Sequence, residues 1–286
     1  MQFLQRAFKY FRNTKRVWRR PPRASLLIID RGTSSPLDEM FAHHNPHIME
    51  IRGESVNMLA LLRALPKIHL GAVAYLEAYI DFVKPKLILS RTDNNHTLWQ
   101  LKRRPNVTYK VALIQNGWRF PETDLTQEIG RKPSHHVDYC FSFGRATSHA
   151  FSFRQSDIFL AAGSLNLNTI AKPQKQAFQI AQVFYVSTFR KKTSIYLQGI
   201  KDFGGLEIAL IRRRLPISII CNSSVSSDAL GEREFYNSAM PIIEKKFHWR
   251  SHRLASYDFL NSTSLLISDL STFGYEALGL GVRVGL

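Results

Sequence analysis

Cysteine is almost missing: Cys140 and Cys221 are the only two among 286 residues. Each sits in an apolar stretch with no partner at metal-ligand spacing. A disulfide framework is therefore excluded, the chain suits a reducing compartment, and both thiols read as small buried hydrophobes. Long apolar runs are also lacking. A bilayer crossing needs roughly 18 consecutive apolar residues, and the best candidate, 70–83, is broken by Glu77 and Asp81. No Asp-x-Asp triplet occurs, which leaves a metal-dependent sugar-nucleotide site of that kind unsupported, and there is no Walker loop. Gly279-x-Gly281 follows a helical pattern instead of opening one and reads as a turn. His43, His44 and His47 have the chemistry to bind zinc, but Pro46 and their loop setting favour a solvated loop, as for His135-His136. No metal and no cofactor is expected. Internal repeats and low-complexity tracts are absent too.

What the chain does have is an ordinary globular composition, 44% apolar and 21% charged, with a net charge of +17. That charge is uneven. Residues 1–23 carry eight of the 39 basic residues and none of the 22 acidic ones. Within this leader Phe3, Leu4, Ala7, Phe8, Phe11 and Trp18 recur at helical spacing, with arginines and lysines between them, until Pro21-Pro22 ends any helix. Rings that sink to the acyl boundary beside cations that meet headgroups suit an interfacial helix, so residues 1–22 are expected to touch an anionic membrane surface. A solvated basic helix packed on its own domain is the competing reading.

The body, 24–286, alternates strands with helices, the signature of parallel sheets and crossover helices. Strands are expected at 25–30, 47–51, 87–90, 111–115, 139–143 and 158–162, with a polar loop after the first. Helices are expected at 56–65, 73–83 and 97–102. The stretch Lys172-Pro173-Gln174-Lys175-Gln176 marks a boundary between an N-terminal domain, 24–171, and a C-terminal one, 177–286. The second series runs strand 180–187, helix 206–214, strand 217–221, helix 232–245, strand 265–268, helix 272–278 and strand 282–284. The sequence stops directly after that strand, with nothing to cover the sheet's far side, so the second domain reads as truncated.

The sharpest local signal is Ser268-Asp269-Leu270-Ser271-Thr272 followed by Gly274-Tyr275-Glu276. Hydroxyl residues at a helix start cap its free amides, and a helix N-terminus at a strand's carboxyl end is a ready phosphate site. Gly274 would admit a ligand close to the first turn, and Glu276 could accept hydrogen bonds from ribose. A plainly capped surface helix explains the same residues equally well. In the first domain three polar groups each follow a strand: Arg52-Gly53-Glu54-Ser55, Thr92-Asp93-Asn94-Asn95-His96 and Gln115-Asn116-Gly117-Trp118-Arg119. Ligands of doubly wound sheets bind beyond the strands' carboxyl ends, so the three together point to one crevice.

Taken in order, Ile51–Asn57, Lys84-Pro85-Lys86-Leu87-Ile88, Asp93-Asn94-Asn95, Ile114-Gln115-Asn116-Gly117, Gly163-Ser164 and the Ser268–Gly281 run resemble the bacterial surface carbohydrate biosynthesis proteins. The last run also resembles the donor motif of GT-B glycosyltransferases and of polyol-phosphate polymerases. The resemblance covers residues 24–286 and implies two Rossmann-like domains of GT-B type. It implies a nucleotide-sugar donor held in the second domain, its phosphate and ribose by Ser271, Thr272 and Glu276; Gly274, Asp269 and Ser187 are the further donor-side candidates. It also implies an acceptor, glycan or lipid-linked, bound mainly by the first domain, where the candidates at the strand ends are Arg52, Asn94, Gln115, Asn116, Gly117, Arg119, Gly163 and Ser164. The expected activity is a metal-independent glycosyl transfer in surface polysaccharide synthesis, by a cytoplasmic protein at the inner face of the membrane, with Asp93 as the reacting carboxylate and Glu54 as runner-up. The alternatives are polyol-phosphate transfer or nucleotide-sugar epimerisation on the same fold, and a basic nucleic-acid binder, against which no recognition module appears.

Overall fold

The computed structural model describes residues 14–285 apart from 53, 105, 118–134, 146, 148–155, 168–169, 171–181, 190–195, 225–227, 252–253 and 269–270. Two compact units divide at 165/166, and the Lys172–Gln176 stretch lies outside the described residues. In the first unit β1 (Lys15–Val17) is followed by β2 (Leu26–Ile29), α1 (Arg31–Met40), β3 (His47–Met49), β4 (Ser55–Asn57) and α2 (Met58–Ala64). Then come α3 (Ala72–Val83), β5 (Leu87–Ser90), α4 (His96–Trp99), β6 (Lys110–Ile114), β7 (Val137–Ser142) and β8 (Ser156–Ala161).

Six of these strands form a wholly parallel sheet in the order β3-β2-β5-β6-β7-β8. Strand pleating sends alternate residues to opposite faces, and β2 shows the result. Leu27 and Ile29 join one core with Ile88 and the α3 residues Ala74, Leu76 and Ile80, while Leu26 and Ile28 join a second core with Leu37 and Leu89. Both faces are thus covered, which is why these strands are continuous apolar runs. Each fully buried Leu or Ile contributes about 1.5–3 kcal/mol over exposure.

Three expectations are corrected here. Residues 31–40, read as a polar loop, form α1 with Pro36 inside it. Parallel pairing of β2 with β3 requires a crossover, and Leu37 anchors that crossover at 0% exposure despite the Gly, Ser and Pro around it. The leader is not a helix through Trp18: Lys15–Val17 is a strand paired in parallel with β4, and Phe3, Leu4, Ala7, Phe8 and Phe11 lie outside the described residues. The helix expected over 232–245 ends at Ala239, before Pro241, and a strand stands at Lys245–Arg250.

The second unit comprises β9 (Val183–Val186), α5 (Tyr196–Arg212), β10 (Ile217–Ser224), α6 (Asp228–Ala239), β11 (Lys245–Arg250), β12 (Leu265–Ser268), α7 (Thr272–Gly279) and β13 (Val284–Gly285). Its sheet, also parallel, runs β11-β10-β9-β12-β13. Tyr185, Ile219 and Tyr236 fill one face, and Phe184, Leu266, Phe273 and Ala277 fill the other. Two buried carboxylates fasten backbone amides, one set in the turn after α6 and one at the end of β10. Glu207 accepts the Ile242 and Ile243 amides at 2.7 and 2.8 Å, and Glu232 accepts those of Asn222 and Ser223 at 3.0 and 2.8 Å. Both cysteines are buried thiols, and burial pushes the Cys221 thiol up from its ordinary value.

Candidate functional site

In a parallel sheet the chain's direction of winding reverses where neighbouring strands send their connections to opposite sides, and ligands bind at the carboxyl ends there. In the first unit that point lies between β2 and β5, and in the second between β9 and β12. Polar side chains gather at both.

At the first, the residue leaving β2 is Asp30, held at φ 67° and 1% exposed. Its carboxylate accepts Arg52 Nε at 2.8 Å and Nη2 at 2.8 Å, and the Thr92 hydroxyl at 2.7 Å. Aspartate enters the left-handed region more readily than most residues, and here the side chain is held by partners distant in sequence. Here it joins the ends of three strands, β2, β3 and β5. Arg52 gains a raised pKa from the Asp30 hydrogen bond, against the opposing effect of burial, and stays cationic. Asp30 was not among the sequence candidates. Its signal was an acidic residue closing a wholly apolar strand.

Asp93 is also buried, at 1% exposure, and its Oδ1 accepts the Asn116 amide at 3.1 Å while its carbonyl accepts Trp99 Nε1 at 2.7 Å. It does not cap the helix after it: Asn95 does, accepting the Thr97 amide at 3.0 Å. Asp93 therefore fastens the loop after β5 to the loop after β6. Gln115 bridges that second loop, donating to the Gly117 carbonyl and accepting from the Phe143 amide, each at 2.8 Å. Glu54 is exposed and accepts the Arg52 amide at 2.8 Å. Asn94 is half-buried. Gly163 turns the chain at φ 79°, beside buried Ser164. Arg119 lies outside the described residues. The structure thus brings Arg52, Thr92, Asp93, Asn116 and Gln115 to neighbouring strand ends, with Asp30 added.

The three loop histidines separate. His43 and His44 are exposed, with ring centroids 4.0 Å apart. His47 instead lies in β3, 2.8 Å from the Tyr79 hydroxyl. Burial lowers the His47 pKa and, with Tyr75 and Glu50 nearby, raises that of Tyr79 to about 12. No group of three His, Cys, Asp or Glu side chains arranged for a metal is found among the described residues.

At the second switch point Ser271 caps α7, its hydroxyl accepting the Phe273 amide at 3.3 Å. Thr272 opens the helix half-buried, and Gly274 is buried in its first turn. The capped N-terminus carries the helix's positive dipole end. Glu276 is 4% exposed, which removes the reading of a surface residue. Its carboxylate accepts the Tyr257 hydroxyl, in a short hydrogen bond, and Asn166 Nδ2 at 3.4 Å. Tyr257 meets Phe273 edge-on, 4.8 Å between centroids. Ser187, leaving β9, accepts from the Tyr236 hydroxyl at 3.0 Å and the Phe189 amide at 3.2 Å. Asp269 lies outside the described residues. Tyr257 and Asn166 were not legible in sequence, since neither belongs to the run around α7.

No protein-family model matches the chain, and no curated protein is significantly similar in sequence. Solved structures do match. MnaA of S. aureus, solved with UDP, superposes with a TM-score of 0.57 at 14% identity over 95% of this chain and 79% of its own. A putative UDP-N-acetylglucosamine 2-epimerase from Listeria monocytogenes gives 0.57 at 16% identity, over 90% of this chain and 69% of its own. The UDP-GlcNAc 2-epimerase of Methanocaldococcus jannaschii gives 0.54 at 12%, over 91% and 82%. At such identities the likeness is one of fold: two Rossmann-like units of GT-B type.

Proposed function

We propose that the chain is a metal-independent glycosyltransferase that moves a sugar from a nucleotide donor to a glycan or lipid-linked acceptor in surface polysaccharide synthesis, held at the inner face of the membrane. The carrying observation is the buried Glu276 behind the capped start of α7, at the switch point of the second sheet. A helix N-terminus suits the donor's phosphates, and a carboxylate one turn in, oriented by Tyr257 and Asn166, suits ribose hydroxyls. Ser187, Thr272 and Gly274 complete the donor set. On the acceptor side Arg52, locked by Asp30, supplies fixed positive charge. Asp93 is the carboxylate that the transfer uses, and Asn94, Gln115, Asn116, Gly117, Gly163 and Ser164 surround the acceptor.

Epimerisation of a nucleotide sugar is the second reading, favoured by the fold likeness to UDP-GlcNAc 2-epimerases. The two separate by product. A transferase releases nucleotide only when its acceptor is present, whereas an epimerase converts UDP-GlcNAc without acceptor, which proton NMR detects directly. Thermal-shift screening against CMP-, UDP-, GDP- and CDP-linked sugars selects the donor, since a bound nucleotide raises stability by mass action. Glu276→Gln should then weaken binding of that donor by about 1.5–3 kcal/mol, the range for a hydrogen bond to a charged group. Unchanged affinity in calorimetry would remove Glu276 from the site and the donor reading with it.

A further inference from the structure

Trp18 stands on the first unit's surface, 61% exposed, where β1 has just ended. The chain there runs along α2. Asn57, which precedes α2, donates from Nδ2 to the Arg19 carbonyl at 2.8 Å. At the far end of α2, the Arg20 and Arg63 guanidinium carbons each lie 5.2 Å from the centroid of the Phe82 ring. On α2 and just after it, Leu62 and Leu65 are 50% and 48% exposed, one turn apart. Single exposed leucines are commonplace. Three large apolar side chains among arginines, on two segments that Asn57 and Phe82 hold side by side, are not.

We propose that this face, formed by Trp18, Leu62 and Leu65 with Arg19, Arg20 and Arg63, docks on an anionic lipid surface. The inference rests on the membrane-surface reading above and assigns the contact to the folded body, not to the leader alone. Apolar side chains enter the acyl boundary while guanidinium groups stay at headgroup depth, the division that interfacial segments use. Asp81 stands 3.6 Å from Arg63 and offsets part of its charge, so Arg19 and Arg20 carry most of the attraction. Nucleic acid fits the cations but gives Leu62 and Leu65 nothing to enter. A second copy fits the apolar groups but sets arginine against arginine.

The test is co-sedimentation of the full chain with vesicles of phosphatidylcholine alone, or mixed in equal parts with phosphatidylglycerol. The parent is expected to bind the mixed vesicles and not the neutral ones. Trp18→Ser/Leu62→Gln/Leu65→Gln, and separately Arg19→Gln/Arg20→Gln, should each weaken that binding about tenfold or more with residues 1–13 intact, since each cation near such a surface adds attraction. All five positions are exposed, so unchanged circular dichroism is expected and confirms that folding is not at issue. If both variants bind like the parent and only deletion of 1–13 releases the protein, the face is overturned while the membrane reading stands. If the parent binds neither vesicle, both fall. Equal, salt-sensitive binding of the parent and the apolar variant to single-stranded RNA, with no vesicle binding, would identify a nucleic-acid surface instead.

Discussion

Asp30 offers a way to weigh an ion pair against backbone strain at one residue. Its carboxylate, 1% exposed, accepts two donors from Arg52 and one from Thr92. Removing one partner from a fully buried pair costs about 3–5 kcal/mol, because the other charge is stranded. Arg52, however, is 54% exposed and can turn its guanidinium to water. Asp30→Asn keeps the shape and tolerates φ 67°, so its expected cost is that of charged hydrogen bonds, about 2 kcal/mol. Asp30→Ala loses every acceptor and adds about 1–2 kcal/mol for a left-handed alanine. Asp30→Gly loses the acceptors without that strain and should fall between the two. Urea unfolding followed by tryptophan fluorescence reads the series, since Trp18, Trp99 and Trp118 belong to the first unit's sequence and Trp249 to the second's. The first unit's transition must be fitted separately, because two units need not unfold as one. A change under about 0.5 kcal/mol for Asp30→Asn would refute the ion-pair argument, given the usual spread of neutral surface changes. Asp30→Gly as unstable as Asp30→Ala would refute the strain argument.

Asp138, 2% exposed, would have its pKa raised by burial, but hydrogen bonds from Lys110, the Val111 amide and Lys102 outweigh this and hold it below the ordinary carboxylate value. Its stabilisation is therefore present above about pH 4 and lost as pH falls through the lower folded value, so Asp138→Asn should cost about 1.5–3 kcal/mol at pH 7 and progressively less in acid. Parallel pH curves for parent and variant would count against this. Asp93→Asn retains an oxygen for the Asn116 amide, so it should fold and bind donor normally yet transfer about a hundredfold more slowly. Turnover within a factor of two would retire Asp93 and move attention to Glu54.

What was legible in the sequence was what depends on neighbours. Leu87–Ser90 and Leu265–Ser268 emerge at the expected residues because a doubly buried parallel strand is one apolar run bounded by polar turns. By contrast α1 is hidden by Gly32, Ser34, Ser35 and Pro36, each a poor helix former, and is imposed by the geometry of joining two parallel strands. At β11 the alternation of Phe247 and Trp249 with charged and polar residues was present, but Glu232 to Lys245 reads as one helix unless Pro241 is taken as its end.

The site divides along the same line. Ser271 and Glu276 were legible because a cap and a residue one helical turn later are fixed by local spacing, whichever sheet they join. Asp30 was not, since its partners stand 22 and 62 positions away, and only the strand order brings them together. The same strand order explains why polar groups accumulate at two places and not along every strand end. At β2/β5 and β9/β12 the connections part to opposite faces, which leaves the carboxyl ends uncovered. The chain fills the first with an ion pair and a buried carboxylate, and the second with hydroxyls, a helix dipole and the buried Glu276 carboxylate. On the proposed transfer, charges held in place at the first suit an acceptor whose hydroxyl must lose a proton. On the same proposal, hydroxyls and a dipole suit the donor's phosphate, which must be held and then released, while the Glu276 carboxylate suits its ribose.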